Sequence, residues 1–239
     1  MPDPSNDPGT PAPGTHAPAK LTFTEEMKGF VTRDETPSRP AAGLPHTVGE
    51  TDFERGFERG RQSDGDLMFH LDITVADVFD FVATPGTTSA AAGWIRSSEF
   101  GGQLPVERGW FNLFVDIGTP TLKHMLYRLF FSDGSGKPMT LSGFKDIHND
   151  PGFEVWHDTT TLFTRIFAGH VQQDGEAQAK VIASGILKLD MLDFLHQLST
   201  FRVDAPTELE KISALSHFGI FFLGNLWEVY GARLTGSEK

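Results

Sequence analysis

Cysteine is absent from the 239 residues, which excludes disulfides, thiolate nucleophiles and cysteine-ligated zinc. Positive charge is scarce: 20 Lys and Arg stand against 32 Asp and Glu, a formal charge of -12. That balance argues against binding phosphate backbones, which needs clustered cations, so nucleic acid is not an expected partner. Long apolar runs are missing too. The most apolar stretch, "FGIFFLGNLWEVYG" at 218–231, is broken by Asn225 and Glu228 and falls short of the roughly 20 residues of a membrane span. The N-terminus "MPDPSNDPGTPAPGTHAPAK" has no apolar centre and starts acidic, the reverse of a secretory signal, so the expected location is the cytoplasm. No H-x-H, H-E-x-x-H, complete calcium loop, G-x-S-x-G elbow or G-x-G-x-x-G turn occurs, and neither metal nor cofactor is expected.

What is abundant is phenylalanine, 21 residues against 2 tyrosines, enough to fill a large greasy interior. Residues 1–20 are rich in Pro, Gly, Ser and Asp and read as a disordered leader before a single domain over 21–239. "LTFTEEMKGFVT" (21–32) alternates like a half-buried strand, and "FERGFERGR" (53–61) fits a short helix, but its glycines favour an irregular charged segment. From residue 67 alternating runs recur at 67–75, 89–97, 108–116, 123–132, 139–147, 159–171 and 180–189. "SDGSGKP" (132–138) is a hairpin connection. With the first strand this makes about eight, an antiparallel meander that can close as a lipocalin-like or allene-oxide-cyclase-like barrel holding one small ligand. A two-sheet sandwich fits the same pattern. Helical spacing marks 190–201, and a C-terminal helix over 207–230 opens on a capping box of Thr207 and Glu210.

The segments "RGWFNLFVD", "LSGFKDI", "VWHDTTTLFTRI" and "SGILKLDMLDFLHQLSTFR" resemble the β-rich, non-flavin region of bacterial cholesterol-oxidase-like proteins of the glucose-methanol-choline oxidoreductase group. The resemblance runs over about residues 20–231. It implies association with sterol or lipid oxidation beside a flavin-dependent oxidase, without flavin chemistry here. None of the oxidase's catalytic residues has a matching position.

Candidate chemistry follows from the faces of the strands. In "LMFHLDITV", Leu67, Phe69, Leu71 and Ile73 share one face, and Met68, His70, Asp72 and Thr74 the other. If the apolar face fills the core, His70 and Asp72 are solvated, the outcome favoured by the usual exposure of charge. In a barrel sheathed outside by helices they would line the lumen as an acid/base pair. Tyr127 lies on the more apolar face of its strand and needs a hydroxyl partner. Lys145 shares a face with Leu141, Gly143 and Ile147, and a lysine so placed is rarely buried without a carboxylate. Asp158 is the expected partner, as a structural ion pair or as a general acid/base site. His157 alternates away from Asp158, so "HD" reads as a strand start rather than a dyad. Phe69, Trp110, Phe114, Phe144, Trp156 and Thr160 are the candidate ligand contacts.

Three functions fit these observations. The first is binding or presentation of a hydrophobic small molecule, sterol or fatty-acyl, as auxiliary to an oxidase. The second is a cofactor-free isomerase or cyclase acting on such a ligand. The third is a docking module without a pocket, whose apolar C-terminal helix meets another protein or a second copy of the chain. An open cavity with convergent acid/base groups favours the second, and a filled barrel with an exposed apolar helix the third.

Overall fold

The computed structural model describes residues 17–33, 50–84, 86–119, 122–148, 160–190, 193, 196, 197 and 199–234, with side chains no further than Phe221. Among the described residues, ten strands form one antiparallel sheet: β1 (Lys20–Arg33), β2 (Asp66–Val75), β3 (Thr88–Ser97), β4 (Gly102–Pro105), β5 (Arg108–Asp116), β6 (Leu122–Ser132), β7 (Pro138–His148), β8 (Thr161–Ala168), β9 (Val181–Lys188) and β10 (Arg202–Asp204). Eight of them follow one another in the order β1-β2-β3-β5-β6-β7-β8-β9, and β9 pairs back onto β1. The circuit is therefore a closed barrel rather than a sandwich. β4 adds to β3 and β10 to β1 outside it.

Closure depends on two glycines at the seam. A Cβ on Gly29 would stand 2.0 Å from the Ile186 carbonyl oxygen, and one on Gly185 would stand 2.1 Å from that of Phe30. Both distances lie far inside van der Waals contact, so only glycine lets the first and last strands approach closely enough to exchange hydrogen bonds.

Alternation decides what fills the barrel. Leu21, Phe23, Met27 and Val31 on β1 and Leu67, Phe69, Leu71, Ile73 and Val75 on β2 are buried, as are Met125, Leu129, Leu141, Leu162, Ile166 and Leu187 on later strands. Phe69, Leu71, Leu129, Leu141, Leu162, Ile166 and Leu187 expose 0% of their surface. A side chain bordering a water-sized void keeps accessible surface, so these residues pack directly on one another.

Among the described residues, helices α1 (Glu50–Gln62), α2 (Val78–Ala83) and α3 (Glu208–Leu234) accompany the barrel. The expectation of an irregular segment at 53–61 fails, because its glycines are contact points rather than breaks. Gly56 and Gly60 of α1 each lie where a Cβ would come within 2.3 Å of a carbonyl oxygen, Ser184 and Val31 respectively. Phe53 and Phe57, one turn apart, meet the wall there, and Phe53 packs on Phe144 and Phe163. α3 begins as its sequence predicts: Thr207 accepts from the Glu210 amide at 3.2 Å, and the Glu210 carboxylate accepts from the Thr207 amide at 3.0 Å. It runs past Gly231 to Leu234. Ala19, within the expected leader, is fully buried, and its carbonyl accepts from Val78; residues 1–16 lie outside the described residues. In 190–201, the described residues 193, 196, 197 and 199 are helical.

Candidate functional site

Glu25, Tyr127 and Lys145 bring ionisable groups into the lumenal packing. Glu25 of β1, between Phe23 and Met27 on the inward face, is 3% exposed, and Tyr127 of β6 and Lys145 of β7 are each 2% exposed. In the eight-strand circuit β6 stands four strands from β1 in either direction, so Glu25 reaches across the barrel. Its Oε1 accepts from the Lys145 ammonium at 2.8 Å and its Oε2 from the Tyr127 hydroxyl at 2.9 Å. Lys145 Nζ also lies 5.1 Å from the centre of the Tyr127 ring. Phe69 stacks on Tyr127 at 5.8 Å and Phe111 leans against it at 4.9 Å, which completes an apolar jacket.

The electrostatics follow from this enclosure. Burial above all, then the Glu25 charge and its hydrogen bond, pushes the Tyr127 phenol well above its ordinary value. Tyr127 therefore stays neutral and donates. A carboxylate, an ammonium and a phenol in apolar surroundings form a set able to move protons. Here their hydrogen bonds are spent on one another, and by joining opposite walls they fill the lumen at that level.

Lys145 thus has a carboxylate partner, as expected of a buried lysine, but the partner on this side is Glu25. Asp158, His157 and Trp156 lie outside the described residues. Glu25 was legible in principle: Leu21, Phe23, Glu25, Met27 places one carboxylate on an otherwise apolar stripe. Of the other candidates, Phe69 borders the cluster. Phe114 is buried beside a β-bulge, with φ of 54°, and packs on Phe221 of α3.

His70 and Asp72 face outward, because the odd-numbered residues of β2 fill the core. His70 Nδ1 lies 2.7 Å from Glu26 and its ring stacks on Trp94 at 5.3 Å, while Asp72 accepts from Thr24 at 2.8 Å. Neither approaches the lumenal cluster, and the acid/base pairing that would need them inside is not formed. Trp110 and Phe144 are on the outer wall as well, packed on Phe130 and beneath Phe53. Thr160 is buried just before β8, and its carbonyl accepts from Leu189.

The outer wall holds further charge that the strand pattern leaves unassigned. Arg128, 5% exposed, binds the Glu176 carboxylate and the Val171 carbonyl, and Ser142 donates to the same carboxylate at 2.6 Å. Arg165 lies with its guanidinium carbon 4.8 Å over the Phe53 ring, and burial lowers its pKa against the opposing pull of Glu176 and Asp52. His124 Nε2 stands 2.8 Å from Asp146 at a matched register position. Among the described residues, no three His, Asp or Glu side chains come together as metal ligands, and no helix is long and apolar enough to cross a membrane. No family model matches the chain, and no curated protein or solved structure matches it either.

Proposed function

We propose that this barrel is a docking module, a filled scaffold that holds out one face of α3 to a protein partner. The observation that carries the reading is where exposed apolar bulk lies. Among the described residues, the large hydrophobic side chains left exposed are Leu209, Ile212, Leu215 and Ile220, at 80%, 62%, 47% and 74%. All four are on α3. With 100° per residue, Leu209, Ile212 and Ile220 share the face opposite Ala214 and Phe218, which are buried against the barrel. A helix apolar on two opposite sides has one side too many for its own domain. The lumenal packing supports the same reading, since the barrel already fills itself. The resemblance supplies the partner: a flavin-dependent oxidase of sterol or lipid oxidation.

The test is to titrate the full chain with a purified flavin-dependent cholesterol oxidase and follow complex mass by light scattering. The expected result is a stoichiometric complex that Leu209→Ser, Ile212→Ser and Ile220→Ser together abolish while the melting temperature holds. A wild-type chain that stays alone, or that pairs only with itself through those residues, overturns the oxidase assignment.

A second reading rests on the Glu25, Tyr127 and Lys145 cluster. A sterol or fatty-acyl molecule admitted to the lumen by displacement of α3 would meet an acid/base set suited to a cofactor-free isomerase or cyclase. Its check is mass spectrometry of lipid retained after exposure to a lipid extract. Retention by the wild type and loss in Lys145→Met favour it; empty protein under conditions that load a known lipid binder counts against it.

A further inference from the structure

One row of outward side chains crosses four strands in register: Lys188 of β9 opposite Lys28 of β1, Lys28 opposite Met68 of β2, and Met68 opposite Arg96 of β3. Like charges directly opposite each other weaken a sheet. The pairing of Lys28 with Lys188 is all the more notable in a chain with 32 acidic and 20 basic residues. Lys28 is held charged by its hydrogen bond to Asp193 at 2.8 Å, with Asp190 and Glu26 adding to the pull, and the Lys188 ammonium lies 5.1 Å from the Phe57 ring. Lys28, Arg96 and Lys188 are all exposed.

These cations border a cleft of about 300 Å³ between the wall and α1, at the lower end of small-ligand sites. Phe30, Phe57 and Met68 give it an apolar lining. Asp66 also lines it, with its carboxylate engaged by the Ser98 hydroxyl. A neighbouring cleft of about 360 Å³ on the far side of Phe57 and Lys188 carries Glu54 and Glu58 instead. An anion is thereby directed to the first cleft and away from the second.

We propose that this cleft binds a single-chain amphipathic anion, a fatty carboxylate, with its head on Lys28, Lys188 and Arg96 and its tail along Phe30, Phe57 and Met68. The site stands on the outer wall and is independent of both α3 and the lumenal cluster. The Phe57 ring of α1 stands along it as a wall, against which a single chain can lie and a flat bilayer cannot.

Calorimetric titration of the full chain with dodecanoate, below its micellar concentration, tests the assignment. The expected result is saturable binding of one molecule per chain, with dodecanol and acetate each weaker by about tenfold or more because each lacks one half of the recognition. Lys28→Gln with Lys188→Gln should weaken dodecanoate by about tenfold, since two partly exposed charges are lost. The same variant should still unfold in one cooperative transition, lowered only by the exposed Lys28–Asp193 pair it loses, and this separates binding from folding. Non-saturable uptake, unchanged affinity in the double variant, or binding of phosphatidylglycerol vesicles without binding of monomeric dodecanoate would each overturn it.

Discussion

Glu25 and Lys145 lie 120 positions apart in the chain and meet at 2.8 Å inside the barrel, each side chain 3% exposed. A charge taken out of water is costly unless paired and hydrogen-bonded, so the two are held in a relationship where neither tolerates loss of the other. Tyr127 supplies the remaining donor to the carboxylate.

Removal of one partner should therefore cost far more than removal of the group. Lys145→Met, which strands Glu25, is expected to destabilise the barrel by about 3–5 kcal/mol in urea unfolding. The triple variant Glu25→Leu, Tyr127→Phe and Lys145→Met should lose less than Lys145→Met alone, because no buried polar group remains unpaired. Additive losses would show that the three do not act as a unit.

Alkaline pH should find Tyr127 late. Its phenol is raised in the fold by burial first and by Glu25 second, so between the unfolded and folded pKa values the native state holds a proton the unfolded chain has released. Stability from this source is full below about pH 10, the unfolded value, and falls as pH rises beyond it. Phenolate absorbance should show Tyr127 silent until unfolding, and Tyr127→Phe should flatten the loss of stability above that pH. A reversible Tyr127 signal in folded protein near the ordinary value would contradict the buried, carboxylate-bonded phenol.

The seam offers a steric check. Gly185→Ala places a methyl against the Phe30 carbonyl, and the β1–β9 pairing must shift to admit it. We expect a loss of about 2 kcal/mol or more in thermal unfolding, with faster amide exchange at Phe30 and Val31 than elsewhere in β1. Unchanged stability would mean that the closure is looser than the contact distances require.

The two faces of α3 should respond oppositely to truncation. Phe218→Ala opens space against Phe23 and Phe201, whose rings lie 6.3 Å and 5.5 Å from it, and should cost about 3–5 kcal/mol in denaturant unfolding. Ile220→Ser removes a side chain that is 74% exposed and should stay within about 0.5 kcal/mol of the wild type in the isolated chain. A large loss at Ile220 would show that its face is covered within the chain's own fold.

Much of the fold was legible in the chain. Period-two alternation placed the eight barrel strands, and the capping box fixed the start of α3, because both depend on neighbours a few residues away. The same local logic identified Lys145 as a buried charge in need of a carboxylate and Tyr127 as a phenol in need of a partner. It misjudged α1, since Gly56 and Gly60 count against a helix in isolation and are required only where that helix lies on the backbone of β1 and β9.

The partner of Lys145 was out of reach for a related reason. Alternation says which residues share a face, and so it could place Glu25 among apolar neighbours. It says nothing of which strands stand opposite across a lumen. That became fixed only when β9 paired with β1, Gly29 and Gly185 allowing the contact, and brought Glu25 over to Tyr127 and Lys145. The same closure turned His70 and Asp72 outward, and aligned Lys188, Lys28 and Arg96 into one row. Strand identity and inward polarity were written locally in the sequence; the meeting of distant charges was decided by barrel closure, because register across the seam is a property of the whole circuit.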